Sequence, residues 1–197
     1  VILHYPQEVD TSLIPGTFVF MICEDGEEHK GEMLLRRAKL EIRDSIRYFH
    51  GSPTKHLTVV VARKPLQGTV AENTLRYGCG GINIDACRVG TESITVNVFD
   101  DGMKPFGNGA GHAYTSKTVS GRWPANIVHD GDCGVLFPEN AGSFSMNRGK
   151  PHEGDSAIFP GSFKTGPSYD TSRGSASRFF YTAPSLEELT TYLQRMT

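Results

Sequence analysis

Thr17-Phe-Val-Phe-Met-Ile-Cys23, Leu40-Glu-Ile-Arg-Asp-Ser-Ile-Arg-Tyr-Phe49 and Leu57-Thr-Val-Val-Val-Ala-Arg63 are the three runs that decide the fold class. The first is almost continuously apolar and lies between Pro15-Gly16 and Gly26, the pattern of a strand buried on both faces. In the second, Leu40, Ile42, Asp44, Ile46 and Tyr48 alternate with more polar neighbours, which predicts a strand with those five on one face. The third is β-branched, and Gly51-Ser52-Pro53 joins it to the second by a short turn. A connection that short predicts an antiparallel hairpin. Residues 27–39 open with acids and close with bases, which complements a helix dipole and predicts a helix despite Gly31.

Further along the chain, Thr69-x-x-Glu72 reads as a capping box opening a helix over 69–77, and Gly78 as its stop. Gly78-Cys-Gly-Gly81 then follows a helix, so it reads as a turn and not as a phosphate loop. Ser185-x-x-Glu188 is a second capping box, and Leu186, Leu189 and Leu193 recur behind it at helical spacing. Residues 139–178 hold only 4 Leu, Ile, Val or Phe among 40, with 6 Gly and 8 Ser, too few to bury a core unaided. The chain therefore divides into an α/β core portion (1–99), a polar Gly/Ser-rich insert (100–178), and a returning strand with a terminal helix (179–197). Phe179-Phe180-Tyr181 reads as that buried strand, and Phe106-Gly-Asn-Gly-Ala-Gly111 as loop.

Net charge is −2 and the pI about 6.4, which excludes a polybasic nucleic-acid coat or membrane-surface peptide. No apolar run approaches the ~20 residues of a membrane span, and Val-Ile-Leu-His-Tyr-Pro lacks the basic start of a signal peptide. The four cysteines, Cys23, Cys79, Cys87 and Cys133, form no C-x-x-C pair, which fits a reduced, cytoplasmic chain. Zinc on Cys79 and Cys87 has the wrong spacing for a knuckle or ribbon. No G-x-S-x-G elbow is present. His129-Asp130 reads as a strand end entering the Asp130-Gly131 turn. His50 and His56 read as solvated loop histidines, and Trp123 as a core anchor.

Four segments together resemble one family: Ala62-Arg-Lys-Pro-Leu66; Thr69-Val-Ala-Glu-Asn73 running into Gly80-Gly-Ile-Asn-Ile-Asp-Ala-Cys-Arg-Val89; Gly121-Arg-Trp-Pro-Ala-Asn-Ile-Val-His-Asp-Gly131; and Ser175-Ala-Ser-Arg-Phe-Phe-Tyr181. They resemble the phage and prophage site-specific DNA methyltransferases of the adenine-N6/cytosine-N4 group, over roughly residues 13–182. The resemblance implies a partial Rossmann-like methyltransferase sheet, mostly parallel, seven-stranded in the whole enzyme and ending in an antiparallel hairpin, with helices on both faces. Residues 40–49 and 57–63 would be that hairpin, and the polar insert a target-recognition region. It implies S-adenosylmethionine as cofactor and duplex DNA as partner, and no membrane.

Two family motifs are missing. The catalytic Asp/Asn/Ser-Pro-Pro-Tyr/Phe, which holds the exocyclic amine of a flipped base, has only Leu3-His-Tyr-Pro6 as counterpart, with His4 where an acid or amide belongs. The cofactor motif Asp-Pro-Phe-x-Gly-x-Gly is expected after the helix at 185–195 and is not found. The expectation is therefore the middle of a methyltransferase, its cofactor loop supplied by a second chain or missing segment, or an inactive DNA-binding or protein-interaction module derived from one. Arg122, Lys150, Lys164, Arg173 and Arg178 are the candidate DNA contacts. Asn83, Asp85, Arg88, Trp123, Asn126, His129 and Asp130 are the family-motif residues, with Asn83, Asp85 and Arg88 expected to build a polar turn. A repurposed site on His129, Asp130 or Asp85 is the third reading.

Overall fold

The computed structural model describes residues 1–52, 54–99, 114–139 and 174–197. Its elements in chain order are β1 (Ile2–His4), β2 (Phe18–Cys23), α1 (Glu28–Arg37), β3 (Glu41–Phe49), β4 (His56–Arg63), α2 (Val70–Tyr77), β5 (Val89–Phe99), β6 (Tyr114–Arg122), β7 (Ile127–His129), β8 (Tyr181–Thr182) and α3 (Leu186–Arg195). The chain is mixed α/β. Its main sheet has the order β1-β2-β4-β3-β7-β8, and β5 and β6 form a separate two-stranded ribbon. The pairs β1–β2, β3–β7 and β7–β8 are parallel, whereas β4 runs antiparallel to both β2 and β3. One reversed strand in a sheet otherwise aligned is the consequence of the short hairpin that the Gly51 turn imposes.

β2 is buried at all six positions because both faces of the sheet are covered. Phe18, Phe20 and Ile22 join Leu189, Tyr192 and Leu193 of α3 on one face. Val19, Met21 and Cys23 meet Leu35 and Ala38, at the end of α1, on the other. Each large apolar side chain so buried is worth about 1.5–3 kcal/mol. Leu186, expected on the same stripe as Leu189 and Leu193, is 39% exposed.

The expected one-sided alternation of β3 is wrong in a specific way. The register runs Ile42↔Ala62 and then Asp44↔Val61, so Arg43 is an extra residue in a bulge. A bulge shifts the pleat by one residue and moves every later side chain to the opposite face. Leu40 and Ile42 accordingly pack with α1, whereas Ile46 and Tyr48 pack with α3.

α1 ends in a Schellman turn: Leu40 N–H donates to Leu35 O at 3.1 Å and Lys39 N–H to Arg36 O at 2.9 Å. Lys39 occupies the left-handed position at φ 58°. Gly31, unfavourable by propensity, is there for contact: a Cβ at this position would collide with Cys23 Sγ. α2 opens on the expected reciprocal box, with Thr69 Oγ1 accepting from Glu72 N–H (3.2 Å) and Glu72 Oε2 accepting from Thr69 N–H (2.7 Å), and closes on Gly78 at φ 73°. Its fully buried Asn73 donates to Pro15 O (2.9 Å) and Cys79 O (2.8 Å) and accepts from Gln67 N–H (3.0 Å), tying three loops together.

Two further expectations are corrected. Phe179 ends a 3₁₀ turn over Ala176–Phe179, only Tyr181–Thr182 is strand, and all three aromatic rings from Phe179 to Tyr181 are half-buried. Trp123 is no core anchor, being 67% exposed. Within the span read as insert, β6 pairs with β5, and β7 adds to the main sheet beside β3. The segment Phe106–Gly111 lies outside the described residues.

Candidate functional site

Five strands of the main sheet, β1, β2, β3, β7 and β8, deliver their carboxyl ends to one edge, and β4 begins there at His56. Open α/β sheets bind ligands beyond the carboxyl ends of their parallel strands. At that edge lies a cleft of about 420 Å³, whose polar lining is Glu24 after β2, Tyr48 and His50 at the end of β3, Asp130 after β7, and Ser185 at the start of α3.

Each lining group is placed by its backbone. Tyr48 is buried and its phenol donates to Ala183 O at 2.9 Å. Burial, with Asp130 adding to it, pushes the phenol's pKa above its ordinary value. The His50 ring stacks on Tyr48 at 5.5 Å and 13°. Asp130 accepts from Gly51 N–H at 2.5 Å and from Cys133 N–H at 2.8 Å. Partial burial alone would raise the Asp130 pKa, but the Cys133 and Gly51 amides outweigh it and hold the carboxyl below its usual value. Ser185 Oγ caps α3 by accepting from Glu188 N–H at 3.2 Å. The lining therefore offers the Glu24 and Asp130 carboxylates and the His50 ring, and includes no Lys or Arg. Such a site suits a planar group carrying N–H donors better than a phosphate.

His129 ends β7 as expected, but its ring is a buried brace. Nδ1 accepts from Gly131 N–H at 3.1 Å, and Nε2 lies 3.4 Å from both Ser177 O and Thr182 Oγ1. It joins the segments on either side of residues 140–173. His50 and His56 are not simply solvated. His56 Nε2 lies 2.9 Å from Arg47 Nη1 and 3.4 Å from Asp25 Oδ1, and Arg47 also bonds Thr58.

The family-like segment 83–88 is a polar turn. Asn83 Oδ1 accepts from Ala86 N–H (3.2 Å), and Asn83 N–H donates to Met196 O (2.9 Å). Arg88 Nε donates to Asp85 Oδ1 at 2.8 Å and Nη1 to Gly121 O at 3.4 Å. That hydrogen bond and the charge of Arg88 hold the Asp85 pKa below normal. Asn126 Nδ2 donates to Asp44 Oδ1 at 2.7 Å. Arg122 pairs with Glu92 at 2.6 Å, and the guanidiniums of Arg122 and Arg178 stack on Phe179 at 4.6 and 4.2 Å. Arg178 also donates to Gly174 O (2.6 Å) and Ser175 O (2.8 Å). Arg122 ties the base of the ribbon to the 3₁₀ turn, and Arg178 braces that turn from within. Lys150, Lys164 and Arg173 lie outside the described residues.

Comparison with family models, curated proteins and solved structures found no match for the chain.

At the cleft edge, two described turns lead from a strand's carboxyl end into a helix. Glu24-Asp25-Gly26-Glu27 carries one glycine among three acids, and Ala183-Pro184-Ser185 carries none. Neither fits the glycine-rich cradle that S-adenosylmethionine requires. Among the described residues no group of three or more His, Cys, Asp or Glu could hold a metal ion, and no helix is long and apolar enough to cross a membrane. Sequence reasoning missed Glu24, Tyr48 and His50 as lining residues. Their common signal is position at a strand's carboxyl end, which becomes visible only once the strand directions are known.

Proposed function

We propose that the chain is DNA methyltransferase-like, contributing to S-adenosylmethionine-dependent methylation of adenine N6 or cytosine N4 in duplex DNA inside the cytoplasm. The observation that carries the reading is the strand order β1-β2-β4-β3 with β4 alone reversed. The single reversed strand is what the antiparallel hairpin implied by the resemblance would give, but the hairpin does not end the sheet, because β7 and β8 extend it beyond β3. The carboxyl-edge cleft adds support, because its Glu24 and Asp130 carboxylates and the His50 ring suit an amine-bearing heterocycle.

The described turns do not fit the cofactor, so the reading assigns its loop to residues other than these, on a second chain or segment. A second reading is an inactive DNA-binding or interaction module derived from such an enzyme. His4, standing at the carboxyl end of β1 where the family's acid belongs, favours it.

Calorimetric titration of S-adenosylmethionine into the purified chain, followed by duplex binding, tests both. Duplex binding without cofactor binding is expected. Micromolar cofactor binding would overturn the assignment of the loop to other residues. Failure to bind any duplex in a folded sample would overturn the DNA reading in both forms.

A further inference from the structure

His56, which opens β4 at the carboxyl edge of the sheet, presents one ring nitrogen to two opposite partners. Nε2 lies 2.9 Å from Arg47 Nη1 on β3 and 3.4 Å from Asp25 Oδ1 in the turn between β2 and α1. A guanidinium only donates hydrogen bonds and an ionised carboxylate only accepts them. The nitrogen can therefore serve Arg47 as an unprotonated acceptor or Asp25 as a protonated donor, and never both at once. The shorter contact selects the first arrangement, a neutral ring with its proton on Nδ1.

Arg47 has a second place to go. Its Nη1 also donates to Thr58 Oγ1, and its Nη2 lies 3.8 Å from Glu28 Oε1 in the first turn of α1. The other oxygen of that carboxylate, Oε2, is buried and has no hydrogen-bond partner among the described residues. An orphaned buried acceptor is costly, and a guanidinium moving up to the carboxylate can satisfy both oxygens through its planar fork. The charged groups around His56 are thus Arg47 from β3 and Asp25 from the turn, with Glu28 of α1 beyond Arg47 and the exposed Lys55 next in the chain. The Phe49 ring packs on the imidazole at 5.6 Å.

We infer that His56 is a proton-operated switch: on taking a proton at Nε2 it releases Arg47 and pairs with Asp25, while Arg47 closes onto Glu28. Histidine is the side chain whose charge changes between about pH 5 and 8. Once the proton is on, Arg47 repels the ring and Asp25 attracts it, so both partners drive the exchange in the same direction. The turn that holds Asp25 also carries Glu24, which lines the carboxyl-edge cleft. Acidity is thereby linked to the cleft wall through adjacent residues, whatever the cleft binds, and the inference does not rest on the DNA reading.

The test is nitrogen-15 NMR of the whole chain, titrated from pH 8 down to pH 5.5, with the ring signals assigned through bonds. At pH 8 the His56 Nε2 should resonate as an unprotonated nitrogen and Nδ1 as a protonated one. Through the titration the Arg47 guanidinium and the Glu24 and Asp25 amides should shift with the same midpoint as the His56 ring. His56→Gln should abolish those shifts, and Glu28→Gln should diminish the one at Arg47 while the His56 tautomer at pH 8 stays the same. A proton on Nε2 at pH 8, Arg47 signals that ignore the His56 titration, or shifts that persist in His56→Gln would each overturn the switch. The tautomer and the shared midpoint are read on the parent chain, so the decision stands even where a variant fails to fold.

Discussion

Asp130 and Gly51, 79 residues apart, are joined by a 2.5 Å hydrogen bond from the Gly51 amide to the Asp130 carboxylate. The bond fastens the end of β7 to the β3–β4 turn, and the same carboxylate takes the Cys133 amide. The cleft wall is therefore set by one anion bridging two connections. Asp130→Ala should cost about 1.5–3 kcal/mol, the worth of hydrogen bonds to a charged group. Because the folded carboxyl has a depressed pKa, its contribution is complete above the unfolded value of about 3.9 and disappears as pH falls below it. Urea denaturation of both proteins between pH 3 and 7 measures this, and a difference that grew toward acid would contradict it.

Gly31 and Cys23 make a second such pair. An alanine in place of a helical glycine normally gains up to ~1 kcal/mol, yet here its Cβ would meet Cys23 Sγ. Overpacking costs about 1–3 kcal/mol. Gly31→Ala should therefore destabilise the chain, and Cys23→Ala should relieve that penalty. A double-mutant cycle would read a coupling of about 0.5–3 kcal/mol, and additive effects would show that the contact carries no strain.

Lys39 should accept the opposite change. It holds the left-handed position of the Schellman turn after α1 at φ 58°, a conformation costly to residues with a Cβ. Lys39→Gly removes that cost, offset in part by the greater freedom of glycine in the unfolded chain. A gain of about 0.5–1 kcal/mol is expected in chemical denaturation. An unchanged or lower midpoint would mean that the lysine side chain contributes more than its backbone costs.

The capping box at Thr69, the Ser185 N-cap (whose Glu188 side chain does not complete the expected box), the buried run of β2 and the β3–β4 hairpin were legible because each rests on neighbours in sequence. The β3 bulge was not, since Arg43 looks like any polar residue in an alternating strand and only the partner register shows it to be extra. The end of α1 was hidden for a related reason: the stop is a lysine where glycine is usual. Trp123 misled because burial is a tertiary property that a single residue type does not fix. For the cleft, Asp130 was visible within a motif, whereas Glu24 follows β2 and Tyr48 and His50 end β3, strands that only the sheet order brings to one edge.

The four thiols divide by depth, and their reactivity should follow. Cys23, Cys87 and Cys133 are buried, whereas Cys79 is half-buried with its Sγ 3.3 Å from Pro15 O. Burial, reinforced by Glu28, Glu27 and Glu32, pushes the Cys23 pKa up to about 11, and burial raises Cys87 and Cys133 as well. Only the thiolate is nucleophilic, so near pH 8 the three are protected twice, by access and by protonation. A chromogenic disulfide reagent should label one thiol in the folded chain, mapped by mass spectrometry to Cys79, and four after denaturation. Rapid labelling of Cys23 in the folded state would show that α1 separates from β2 far more readily than the contact with Gly31 allows.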